Sequence, residues 1–173
     1  MKRIISLLLA VMIAFGCLSI TASAAAPTPI KVTFRGTTVE FPDAQPFVDA
    51  NGRTMVPLRP IGEAMGLSVS WEADTRSALF TYTRYLDVGH EYYACLFTIG
   101  SEYLNSACTY FDENYVNVDG HPLLMCRMDT APVIRDGRTY APVRYLAEAF
   151  GYSVSWDAAT KTVQITGTGC YED

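Results

Sequence analysis

The chain has 173 residues, with 13 Lys and Arg against 18 Asp and Glu, and a formal net charge of −5. An acidic chain repels phosphate backbones, which excludes nucleic acid as a partner. Half of the residues are hydrophobic, and the length suits one domain with a real core.

Residues 1–24, MKRIISLLLAVMIAFGCLSITASA, have the layout of a secretory signal peptide. Lys2 and Arg3 make a basic start, Ile4 to Phe15 an apolar run, and Ala22-Ser23-Ala24 an A-x-A cleavage site. The run is too short for a comfortable membrane span and no later stretch is long enough, so no transmembrane span is expected after cleavage. A lipoprotein would instead be cut before Cys17 and lipidated there, but Phe15 fits a lipoprotein box poorly. The expectation is export to the cell surface or medium of one domain, residues 25–173, with a net charge of about −7.

Residues 30–82 form a first unit. Asn51-Gly52 accepts the positive φ values of a type I′ turn ahead of a strand, Thr54 to Val56. Pro57 ends that strand and suits the first turn of a helix. Leu58, Ile61 and Met65 have helical spacing, and Gly66 stands where a left-handed C-cap belongs. Pro60 is expected to delay this helix by a turn. Val69 and Trp71 then alternate with Ser68 and Ser70 as in a strand, with Trp71 packed in the core. A polar turn and a strand, Ala78 to Tyr82, complete a hairpin–short helix–hairpin unit.

Residues 83–128 are a joining segment rich in tyrosine. Tyr103, Tyr110 and Tyr115 are candidates for an exposed aromatic platform, since tyrosine suits wet recognition surfaces as well as half-buried sheets. Cys95, Cys108 and Cys126 lie here and Cys170 follows near the end; an even count in an exported chain suggests two disulfides, with three pairings open. His121, Met125, Cys126 and Met128 include soft ligands that Cu(I) favours, but strand alternation would turn Met125 and Cys126 to opposite sides. Core packing is therefore the expected use, and no metal or other cofactor is assigned. Asp112, Glu113 and Asp119 are the crowded carboxylates a hydrolase would need.

Residues 129–167 repeat the first unit. At an offset of 85, Gly52, Arg53, Pro57, Arg59, Glu63, Gly66 and Trp71 recur as Gly137, Arg138, Pro142, Arg144, Glu148, Gly151 and Trp156. Such identity marks duplication of one supersecondary unit. Arg59 with Glu63, and Arg144 with Glu148, are four apart on a helix and are expected to pair.

Both copies, GRTMVPLRPIGEAMGLSVSW and GRTYAPVRYLAEAFGYSVSWDAATKTVQI, resemble the bacterial copper amine oxidase N-terminal domain-like family, or stalk domains. The resemblance implies an α+β module of exported proteins with no catalysis of its own. Oxidase chemistry needs three histidine ligands, and the chain has two, His90 and His121. Asn114-Tyr115 is followed by Val116 rather than by an acidic residue, as quinone formation would require.

The reading is an α+β fold: a mainly antiparallel sheet with two short helices. It is a non-catalytic exported binding or structural module, with cell-wall polysaccharide or another extracellular protein as its partner. The alternatives are an enzyme or inhibitor with its active residues in segment 102–119, or a glycan-binding accessory protein.

Overall fold

The computed structural model describes residues 29–114, 116–119 and 124–169, with Val118 and Asp119 as backbone only. The signal peptide, Cys17, Tyr115, His121 and Cys170 lie outside the described residues, as does the side chain of Asp119. In chain order the elements are β1 (Lys31–Phe34), β2 (Thr37–Thr38), β3 (Phe47–Val48), β4 (Thr54–Pro57), α1 (Leu58–Ala64), β5 (Ser68–Glu72) and β6 (Ser77–Tyr85). Next come β7 (His90–Thr98), β8 (Tyr103–Phe111), β9 (Asn117–Asp119) and β10 (Leu124–Arg127). The chain continues through β11 (Val133–Arg135), β12 (Arg138–Pro142), α2 (Val143–Ala149), β13 (Ser153–Asp157) and β14 (Thr162–Thr166).

This corrects the expected α+β class: the fold is dominated by sheet. Three sheets form, ordered β13-β14-β1-β2, β10-β8-β7-β6-β5 with β9 also on β8, and β11-β12-β4-β3. Each helix has seven residues, about 10 Å at 1.5 Å per residue, too short to make a layer. The joining segment is no loop. It supplies β7 and β8, nine residues each, which pair along their length and build the largest sheet.

The duplication is visible in the pairing. Hairpin β5–β6 pairs Val69 with Phe80 and Trp71 with Ala78; β13–β14 pairs Val154 with Ile165 and Trp156 with Val163, the same register 85 residues on. Strands β4 and β12 pair antiparallel, with Val56 opposite its own counterpart Ala141, Met55 opposite Pro142 and Pro57 opposite Tyr140. An internal pseudo-twofold axis therefore passes between Val56 and Ala141. Two ion pairs obey it. Arg53 of the first copy meets Asp129 at 2.5 Å, and Arg138 of the second meets Asp43 at 2.9 Å. The arginine of each Gly-Arg-Thr turn thus braces its copy against the other.

The turns follow their residues. Asp136 and Gly137 both have positive φ, 50° and 71°, as a two-residue I′ turn requires between Arg135 and Arg138. The first copy carries one more residue here, so Asn51-Gly52 does not form that turn. Instead Asp49 Oδ1 accepts the N–H groups of Asn51 and Arg53 at 2.9 and 2.7 Å and holds a longer loop. The expected delay of α1 is also corrected. The helix starts at Leu58, as α2 starts at Val143, and Pro60 lies in its first turn, where no N–H is needed.

Both helices, the inner faces of the sheets and the loop at Val39 and Phe41 share one core. Ile61 and its counterpart Leu146 are fully buried there. Gly62 lies so near β6 that a Cβ would stand 2.7 Å from Phe80 Cε1. Its counterpart Ala147 is tolerated where Ile165 replaces Phe80.

Candidate binding groove

The residues kept in both copies sort into two kinds. Gly52, Gly137, Gly66 and Gly151 take positive φ at turns and helix ends, and Pro57 and Pro142 cap the helices in extended conformation. Arg53 and Arg138 form the crossed ion pairs. The rest point outward. Arg59, Glu63, Arg144 and Glu148 are exposed. Neither helix pair forms: among the described residues the ion pairs use Arg53, Arg84, Arg127, Arg135 and Arg138, each with a different carboxylate. An Arg-first i,i+4 pair in water is worth only a few tenths of a kcal/mol, too little to hold two long side chains together.

The tryptophans are a second correction. Trp71 and Trp156 do not sit in the core; they are 40% and 48% exposed. Alternation does turn Val69 and Trp71 to the same face, but a helix of seven residues covers only the part of the strand that carries Val69. Trp156→Ala is accordingly expected to cost under about 1 kcal/mol, as surface changes do, rather than the 3–5 kcal/mol of a deleted core aromatic. A denaturant midpoint well below wild type at unchanged slope would place this ring back in the core.

Beside Trp71 a groove of about 550 Å³ opens between the 40–44 loop, α1 and the β5 edge of the large sheet. Leu58, Val69, Ala78 and Phe80 form an apolar floor, and Pro42, Pro57 and Pro60 stiffen the walls. Glu40, Arg59 and Glu63 stand around it, and none of the three is engaged by another described side chain. The Arg138–Asp43 pair closes one end.

One difference between the copies bears directly on the groove. Where the first copy has Pro60, the second has Tyr145, which is buried and whose hydroxyl accepts the N–H of Asp129 at 3.0 Å. Asp129 is the counterpart of Asp43 across the pseudo-twofold. In the second copy a phenol therefore fills the space that Pro60 leaves open in the first.

Other candidates are not brought together. Tyr103 and Tyr110 sit on opposite faces of β8, seven residues apart, and Tyr110 donates its hydroxyl to Val88 O at 2.6 Å. They form no common platform. Asp112 closes a turn, accepting N–H from Asn114 and Val116 at 2.9 and 2.8 Å, and Glu113 is exposed. Met125 and Cys126 are exposed on β10 while Met128 is buried. No group of three metal-binding side chains of the His, Cys, Asp or Glu type forms among the described residues.

The disulfide expectation is corrected for the described cysteines: Cys95, Cys108 and Cys126 are free thiols. Cys95 faces the core opposite Ser106, and Cys126 lies on the edge strand opposite Leu104. Burial pushes the Cys95 thiol far above its ordinary range. In the native protein a soluble alkylating reagent should label Cys126 readily and Cys95 only on unfolding. Equal labelling of the two would contradict this burial.

Sequence reasoning missed the 40–44 loop and the part played by Pro60. The signal was present: Pro60 is where the helix of one copy departs most from the other.

The family model for the copper amine oxidase N-terminal domain matches residues 33–165. No curated protein and no solved structure matches the chain.

Proposed function

The chain belongs to the copper amine oxidase N-terminal domain family, and from that premise we propose an exported, non-catalytic module that binds polysaccharide in the groove beside Trp71. The single observation that carries this reading is the groove's wall: a partly exposed indole lining the same groove as an arginine and two carboxylates that no described side chain engages. An indole face offers a flat apolar surface to the C–H face of a sugar ring. Arg59 supplies donors only, and Glu40 and Glu63 acceptors only, so together they can satisfy hydroxyls, which are both. A few fixed polar groups around an apolar floor are what orient a small-molecule ligand. The signal-peptide layout of residues 1–24 supports a cell-surface or secreted location, where such polymers occur.

Co-sedimentation of the purified mature protein with insoluble cell-wall polysaccharide tests the reading. Wild type should pellet with the polymer, and Trp71→Ala and Arg59→Ala should each bind about tenfold more weakly or less, the loss expected for one well-placed contact. Undiminished binding by both variants would show that the groove is not the site.

A further inference from the structure

We infer that the face around Trp156 is a second binding site for the same class of ligand, an extended polyhydroxylated chain. The inference rests on the groove reading and extends it to the other copy.

The duplication has kept some residues and let others go. Buried counterparts have diverged: Met55 is Tyr140, Leu58 is Val143, Ile61 is Leu146, Met65 is Phe150, Leu67 is Tyr152 and Phe80 is Ile165. Cores tolerate such changes when total volume is kept. Exposed residues outside turns and ion pairs have no packing role to hold them, yet several remain identical, Ser68 and Ser153 at the start of β5 and β13 among them. On the helix and the hairpin edge, Arg59, Glu63, Ser70 and Trp71 also recur, as Arg144, Glu148, Ser155 and Trp156, all exposed. The shared hairpin register and the two seven-residue helices set each foursome on the same backbone frame. Among the described residues neither Arg144 nor Glu148 is in an ion pair; the Arg144 guanidinium lies over the Tyr145 ring, 5.3 Å from its centroid, and Glu148 is exposed, so the second copy also carries a donor and an acceptor on its surface. A role in folding does not explain this pattern; use of both faces against one kind of ligand does.

The two sites are not equal. Tyr145 fills the second copy where Pro60 opens the first, so the Trp156 face offers a surface and not a groove. It should bind a short oligosaccharide more weakly. On a polymer the second contact is intramolecular, and two modest sites give strong retention.

The chain's two tryptophans are Trp71 and Trp156, so indole fluorescence reports on these sites alone. Trp71→Phe leaves Trp156 as the reporter, and Trp156→Phe leaves Trp71. Each variant is titrated with chitohexaose and with cellohexaose, after circular dichroism confirms the wild-type fold. Both are expected to show a saturable change with one of these sugars, at about tenfold weaker affinity for the Trp156 reporter. Arg144→Ala on the Trp71→Phe background should abolish that weaker response. A response from the Trp71 reporter with none from Trp156 overturns the second site and leaves the groove standing. A Trp156 response that survives Arg144→Ala also overturns it. No response from wild type to either sugar overturns the groove reading, and the second site with it.

Discussion

Leu146→Ala should lower the unfolding free energy by about 3–5 kcal/mol, the cost of a fully buried leucine removed from a core that collapses poorly around the cavity. Leu146 has no exposed surface, and it sits on α2, which packs on β4, β12 and β13 as well as on α1. Every sheet sends residues to that same core. Ile61→Ala, its counterpart on α1, should cost a similar amount. Because the two helices touch, the double variant should depart from the sum of the singles. Urea denaturation followed by circular dichroism measures each change. A Leu146→Ala midpoint within error of wild type would mean that the helices are appended to the sheets and do not organise them. Total stability of a domain is about 5–15 kcal/mol, so each single variant should remove a large share of it.

Pro60→Tyr should abolish polysaccharide binding in the groove while leaving the fold intact. The second copy already shows how such a side chain packs, because Tyr145 occupies the equivalent place and its hydroxyl accepts a loop N–H. At Pro60 a tyrosine would reach toward the loop of Asp43, across the floor of the groove. Removing the proline costs little, because its position in the first helical turn has no N–H bond to gain or lose. Co-sedimentation should fall to the weaker level that the Trp156 face alone supports, with a melting temperature within a few degrees of wild type. Full binding by a folded Pro60→Tyr protein would show that ligand does not enter this space. The outcome differs from that of Trp71→Ala: one variant fills the groove and the other strips its wall.

Local chemistry was readable from the sequence, and arrangement at a distance was less so. Gly66 and Gly151, Pro57 and Pro142, and the alternation of Ser68 to Trp71 act within a few residues, and each element formed where its residues require. The Asn51-Gly52 turn failed because one added residue lengthened the loop, and the dipeptide alone carries no information about loop length. Trp71 was misplaced for a related reason. Alternation selects a face, and coverage of that face depends on the length of a helix packed across it. The cysteine count pointed to staples, but bond formation depends on geometry that spacing does not specify; Cys95 and Cys126 lie on strands separated by β8. The groove was hidden because it arises from a difference between copies, while the reading attended to what they share. The crossed pairs Arg53–Asp129 and Arg138–Asp43 could have been found by applying the one-residue slip upstream of each turn to the aspartates.

Strand β1 has a further consequence, for synthesis. It runs parallel to β14, Lys31 beside Thr162 and Phe34 beside Ile165, so almost the earliest described residues wait for almost the last. The slot beside each copy's second strand is filled by β7 in the first copy, from a neighbouring stretch of chain, and by β1 in the second. A ribosome would release the β5–β6–β7 meander able to pair at once, while β1 and β2 stay without their sheet until residue 166 has emerged. Closing so long a loop is slow relative to hairpin formation. The chain therefore closes its ends last: β1 and β2 join a sheet only after the β5–β6–β7 meander between them and β14 has formed.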